Sequence, residues 1–156
     1  MLGFIVNCGS SSIKTRLIDT DTKETLFEAR AGHLKTSSST VTTKVNGISY
    51  SLLDEDNTSL THEQALQLIL NDLSNRKVIK NLEDISFVGH RIVHGGTFFS
   101  EPTIITEEVI EKITTCNELA PLHNPVGISG IRCCENLLPS AIHVAVFDTA
   151  FHQTIP

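Results

Sequence analysis

The sequence predicts an α/β fold, a mixed sheet with helices packed on it. Three observations point there. Through the first third, apolar and polar residues alternate between turn signals, the pattern of antiparallel strands. From Thr61 onward the period changes, and helical apolar stripes alternate with short apolar runs, an order that builds a mixed sheet carrying helices. The 156 residues, 40% of them hydrophobic, suffice for one domain with a substantial core.

The elements follow in order. In Leu2-Gly3-Phe4-Ile5-Val6-Asn7-Cys8-Gly9-Ser10-Ser11-Ser12-Ile13-Lys14, an apolar run, a short polar loop with one Gly and three Ser, and a second run starting at Ile13 read as strand, turn, strand, with residues 17–19 ending the second strand. Asp19-Thr20-Asp21-Thr22 is a turn cluster, and Glu24–Gly32 alternates as a third strand. Ser37-Ser38-Ser39-Thr40 is a polar connection. Within residues 41–53, Asn46-Gly47 between two alternating runs predicts a two-residue hairpin. Thr61 caps a helix, with Gln64 completing a capping box and Ala65, Leu66, Ile69, Leu70 and Leu73 forming its buried stripe. Residues 84–90 form the next strand. Thr106 caps a second helix, with Glu107 and Glu108 where the helix dipole favours acids and Val109, Ile110, Ile113 and Cys116 on the inner face. Asn124-Pro125 opens a third, with proline at the first helical position and Ile128, Ile131, Cys134 and Leu138 as its stripe. Residues 141–147 are a last strand, ending at Asp148. There is no internal repeat.

Composition excludes some classes. A net charge of −6 argues against general affinity for nucleic acid or an anionic membrane, so any phosphate binding must come from a local basic cluster. Cys8, Cys116, Cys133 and Cys134 have no C-x-x-C spacing and make a poor disulfide framework, so a reducing cytoplasm is expected. The N-terminal apolar run is too short for a signal peptide, and nothing reaches membrane-spanning length.

Four segments carry chemistry. The Gly9-Ser10-Ser11-Ser12 loop, followed by Lys14, can form an anion-binding concavity of backbone N–H groups, hydroxyls and an ammonium. Taken alone it reads first as an ordinary polar hairpin, and it matches neither a P-loop nor a dinucleotide fingerprint. Arg91, in Val88-Gly89-His90-Arg91-Ile92-Val93-His94-Gly95-Gly96, offers a planar fork that suits a carboxylate or phosphate; the competing reading is a surface ion pair. His90 and His94, four apart in an extended segment, could face one side as metal ligands, but no third ligand stands at a suggestive spacing. In Leu119-Ala120-Pro121-Leu122-His123-Asn124-Pro125, Leu122 could line a small apolar pocket, and His123 is first a structural histidine. Asp148 ends a buried strand, where α/β sheets place ligands, or else serves as a turn or cap residue.

Together the segments Asn7-Cys8-Gly9-Ser10-Ser11-Ser12-Ile13-Lys14, Gly89-His90-Arg91-Ile92-Val93-His94-Gly95-Gly96, Leu119-Ala120-Pro121-Leu122-His123-Asn124-Pro125 and Val144-Ala145-Val146-Phe147-Asp148-Thr149-Ala150-Phe151-His152-Gln153 closely resemble the acetate kinase family. The resemblance implies a ribonuclease H-like domain, from the superfamily of sugar kinases, actin and heat-shock ATPases. It implies the reaction ATP + acetate ⇌ ADP + acetyl phosphate with Mg2+, in a homodimer. Carried over residue by residue, Asn7 is implied in the magnesium site, Lys14 in ATP binding, and Ser10 and Ser12 in the phosphate loop. Arg91 is implied to bind acetate, Val93 and Leu122 to form its methyl pocket, and Asp148 to be the active-site carboxylate. Thr15 stands where many relatives carry an aromatic residue, and Gly127 where many carry Asn. Relatives are more than twice as long, so residues 1–149 are expected to form the phosphate and acetate side of a cleft. Residues 150–156 would begin a nucleotide-binding domain, and the chain alone is expected to be inactive. A propionate or butyrate kinase relative and a non-catalytic phosphate-binding module are the alternatives. A Ser/His/Asp hydrolase would need a G-x-S-x-G elbow, which is absent from the sequence. Because acetate, with a pKa near that of a Glu side chain (about 4.3), is ionised at neutral pH, Asp148 is expected to orient a magnesium-bound water and shape the field rather than take a proton.

Overall fold

The computed structural model describes residues 1–54, 57–99 and 101–148. Its strands are β1 (Leu2–Cys8), β2 (Ile13–Asp19), β3 (Glu24–Gly32), β4 (Thr40–Val45), β5 (Ile48–Ser51), β6 (Ile85–Ile92), β7 (Thr103–Ile104) and β8 (Ile142–Phe147). Helices α1 (His62–Asn75), α2 (Glu107–Thr115) and α3 (Asn124–Leu137) alternate with the later strands. The strands form one sheet in the order β5-β4-β3-β2-β1-β6-β8-β7. The first five pair as an antiparallel meander, β1, β6 and β8 run parallel, and β7 returns antiparallel on β8. This is the mixed sheet that the change of period predicts.

Strand alternation decides which face is covered. Phe4, Val6, Ile13, Leu17, Phe27, Ala29, Val41, Val88 and Ile85 are buried with the α1 stripe Ala65, Leu66, Ile69, Leu70 and Leu73. A second cluster joins Ile92, Ala145 and Phe147 to Val109, Ile110 and Ile113 of α2. Helix α3 serves both, giving Cys134 and Leu138 to the first cluster and Ile131 to the second. All three helices therefore lie against one face. The intervening residues of β1, β2, β6 and β8 project from the other.

The local signals that start the helices act as expected. Thr61 accepts from the Gln64 amide at 3.1 Å while Gln64 accepts from the Thr61 amide at 2.9 Å, and Thr106 caps α2 through the Val109 amide at 3.2 Å. Cys116 closes α2 as its C-cap. The hairpin at Asn46-Gly47 has both residues at positive φ, 51° and 79°, as a type I′ turn requires. Boundaries shift by a residue or two. β6 begins at Ile85 and continues two residues past His90, so Arg91 belongs to the strand itself, and β8 begins at Ile142. The two-residue β7 and the 3-10 turn Leu82–Asp84 are too short to leave a period in the sequence.

Candidate active site

β1, β6 and β8 are parallel, so their carboxyl ends meet on one edge of the sheet, with Asn7, Arg91 and Asp148 on the face away from the helices. Their buried neighbours Val6, Ile92 and Phe147 point the opposite way. The Arg91 guanidinium grips the Asp148 carboxylate through two edge nitrogens. Nε donates to Oδ1 at 3.0 Å and to Oδ2 at 3.1 Å, and Nη2 donates to Oδ2 at 2.6 Å. Nη1 reaches Asn7 Oδ1 at 3.4 Å. The bond to Asp148 is the main reason the Arg91 pKa is raised, with burial opposing it and the carboxylate's charge adding to it. Arg91 is half exposed, so the pair stands at a solvent-filled rim and water screens it.

The Gly9–Ser12 loop closes β1 onto β2. The Gly9 amide donates to Ser12 O at 2.8 Å. Two outside groups hold its carbonyls: His62 Nε2–H donates to Gly9 O at 2.7 Å, and the Leu34 amide donates to Ser11 O at 2.9 Å. A Cβ on Gly9 would sit 2.7 Å from Ser12 Oγ, so a side chain there would displace the serine. With the carbonyls tied back, the Ser10 and Ser11 amides have no protein acceptor among the described residues. Such a loop is free to cradle an anion. Lys14 stands directly opposite Asn7 in the β1–β2 register, exposed on the same face.

The segment after β6 is fixed from α3. Asn124 is fully buried; its Oδ1 accepts from the His94 amide at 3.1 Å and its Nδ2 donates to His94 O at 2.8 Å. Gly96 has φ +61°, and its amide donates to His94 Nδ1 at 2.8 Å. Val93 is thereby held, half-buried, at the end of β6. Leu122 is 76% exposed, and His123 is an exposed N-cap residue of α3 that makes no capping bond with its side chain. His90 and His94 do not share a face of chemistry. His90 is buried against His143, with Nε2 3.0 Å from His143 Nδ1, while His94 bonds within its own turn. Burial, aided by the neighbouring His143, pushes the His90 pKa down to about 3. Among the described residues no cluster of three or more His, Cys, Asp or Glu could hold a metal ion. Asn7 and Asp148 nevertheless hold hard oxygen donors on opposite sides of one guanidinium, Asn7 at Nη1 and Asp148 at Nε and Nη2. That set suits a magnesium ion, which keeps several waters and takes its remaining ligands from substrate phosphates.

The acetokinase family matches this chain over residues 2–156. The chain belongs to that family. An acetate kinase of Agathobacter rectalis is 45% identical over 157 residues, covering 97% of this chain and 38% of the relative. One of Clostridium acetobutylicum is 45% identical over 158 residues, covering 100% of this chain and 39% of the relative. Among solved structures, Porphyromonas gingivalis acetate kinase superposes with a TM-score of 0.90 at 39% identity, over 99% of this chain and 39% of that one. A propionate kinase from Francisella tularensis superposes with a TM-score of 0.86 at 40% identity, over 99% of this chain and 38% of that one. The chain spans about 38% of the length of these curated relatives, corresponding to their N-terminal portion. Its sheet is the ribonuclease H-like N-terminal domain of the acetokinase family.

Residues without a signal in the sequence also shape this acetokinase-family edge. His62 reads only as the first residue of a helix, and Asn124 only as a helix start, yet both hold site backbone. Gly127 has a packing reason: a Cβ there would lie 3.0 Å from Ile92 Cδ1, so glycine lets α3 lie close on β6. The Thr149-Ala150-Phe151-His152-Gln153 part of the fourth segment, and the expected domain start at residue 150, lie outside the described residues.

Proposed function

We propose that this chain forms the phosphate- and acetate-binding side of an ATP-dependent acetate kinase, interconverting acetate and ATP with acetyl phosphate and ADP. The observation that carries the reading is the hydrogen-bonded set Asn7, Arg91 and Asp148 at the ends of three parallel strands, beside a hairpin with open amides.

Phosphoryl transfer asks the protein for positioning and charge. The acetate carboxylate is ionised at neutral pH and has no proton to remove, so the acetyl-phosphate-forming direction needs no general base. The difficulty is bringing an anion to an anion. Arg91 meets Asp148 through its Nε–Nη2 edge, so its Nη1–Nη2 edge, touched only by the long 3.4 Å bond from Nη1 to Asn7 Oδ1 among the described residues, can take the acetate carboxylate as a fork. In this reading Asp148 fixes the plane of the guanidinium, and Lys14, Ser10 and Ser12 face the transferred phosphate. A magnesium ion held through oxygens of Asn7 and Asp148 would neutralise phosphate charge. Val93 and Leu122 border the methyl group. The four cysteines are free, in keeping with a reducing cytoplasm, and the whole protein is read as a homodimer by family resemblance.

A second acid remains in view because one structural relative is a propionate kinase. One extra methylene is worth only about 1–3 kcal/mol, so propionate should serve as a poorer alternative substrate. The decisive experiment is a coupled ADP-release assay on the protein as its gene encodes it. Arg91→Ala should lose well over tenfold in kcat/KM for acetate, since a charge-assisted forked contact contributes about 1.5–3 kcal/mol. An unchanged value removes Arg91 from the substrate site. Asp148→Asn should lower the rate while keeping the parent's pH profile. Loss of a single ionisation seen in the parent would make Asp148 a proton-transfer group instead.

A further inference from the structure

The strand register sets up a row that sequence order hides. Asn7 of β1 stands opposite Lys14 of β2, and Lys14 opposite Arg30 of β3. On the other side Arg91 of β6 lies beside Asn7 and bonds to it. Neighbouring strands are about 4.8 Å apart, so Arg91, Asn7, Lys14 and Arg30 form one line across four strands. Their buried partners lie beneath the sheet, so the row projects from the helix-free face.

The floor beside this row is a trough of about 320 Å³, bordered by Ile5, Asn7, Lys14, Arg16, Glu28 and Arg30. Its charges are uneven. Arg16 pairs with Glu28 at 3.4 Å, which consumes the only carboxylate lining it. Neither Lys14 nor Arg30 has an ion-pair partner among the described residues, in a chain with 18 acidic and only 12 basic side chains. Like charges directly opposite on an antiparallel pair are destabilising. Solvation alone gives no reason to keep two unpaired cations face to face. A bound polyanion would offset the repulsion and draw a charge-assisted bond from each.

We propose that Arg30 is a phosphate-binding residue. With Lys14 it forms a cationic pair that holds the linear polyphosphate chain of the nucleotide along the trough, and the Arg16–Glu28 bridge forms the lower wall. The naming of a nucleotide rests on the kinase reading above; the affinity for a linear polyphosphate does not.

The test separates the two. The protein as its gene encodes it is titrated calorimetrically with inorganic tripolyphosphate and with magnesium ATP, and kinase kinetics are measured in parallel. Arg30→Ala should weaken tripolyphosphate and nucleotide binding by about tenfold or more and raise KM for ATP, with KM for acetate unmoved. Arg30→Lys should recover most of the loss, and Lys80→Ala, an exposed cation away from the trough, should change nothing. Arg30 is exposed, and its removal relieves a repulsion. The variant should therefore be at least as heat-stable as the parent without ligand and gain less protection from tripolyphosphate. Tripolyphosphate binding that depends on Arg30 in a protein without kinase turnover would overturn the kinase reading and leave this one standing. Turnover with ATP and tripolyphosphate affinities unchanged in Arg30→Ala would overturn this proposal alone, and a parent that binds neither anion would overturn both.

Discussion

Lowering the pH from 7 to 5 should destabilise this fold through a single ring. His90 is only 3% exposed, wedged between strands and stacked on His143 with centroids 5.3 Å apart. The Leu138 carbonyl can only accept, so His143 Nε2, 3.1 Å away, carries a proton. His90 Nε2 faces His143 Nδ1 at 3.0 Å. Protonating His90 would bury a charge with no carboxylate among its bonded partners, which is why its pKa falls from 6.5 to about 3. The unfolded chain titrates near the ordinary value. Between pH 6.5 and 3 the unfolded state therefore binds more protons than the folded one, and stability falls as the pH falls through that window. Above pH 6.5 nothing is lost. At pH 5 the offset is about 1.5 pH units at about 1.4 kcal/mol each, or roughly 2 kcal/mol. His90→Gln keeps an N–H donor toward His143 but cannot titrate. In urea unfolding followed by circular dichroism, the parent should lose about 2 kcal/mol more than the variant between pH 7 and 5. Equal losses would refute the reasoning. If the variant folds poorly, the ring resonances decide: His90 should remain neutral at pH 5 in the parent, and protonation near pH 6 would sink the account.

Two further substitutions probe how the site is held. Asn124→Ala removes both bonds to His94 and leaves a part-buried amide and carbonyl without that partner. It should lower unfolding stability by about 2–4 kcal/mol, measured in urea, and a loss below about 1 kcal/mol would mean that the turn is held otherwise. Gly130→Ala places a Cβ 2.8 Å from Cys8 Sγ, at the base of the Gly9–Ser12 loop. It should cost about 1–3 kcal/mol, and Cys8→Ala in the same chain should recover most of that. Purely additive effects would show that the sulfur is not the obstacle.

Much of this protein was legible before any coordinates. Periodicity, caps and turn residues act within a few positions of one another. The capping box at Thr61 and Gln64, the Asn46-Gly47 hairpin and the stripe of α1 could therefore be read directly. Motif resemblance likewise singled out Asn7, Arg91 and Asp148, which the sheet brings together at one edge. Relationships between distant positions could not be read in this way. Arg91 and Asp148 are 57 residues apart, and the two histidines 53 apart. Nothing local in a sequence marks Asn124 as a buried anchor rather than a helix start, because its partner His94 comes from the segment after β6, thirty residues earlier.

By itself, then, the amino-acid order determined the strands, the helices, the family and the chemical character of the edge residues, since each rests on short-range periodicity or on conspicuous side chains. Only the tertiary structure decided that Arg91 faces Asp148, that His90 is sealed against His143, and that Lys14 and Arg30 stand side by side. Strand order and register set those pairings, and they follow from how the sheet buries one face against three helices.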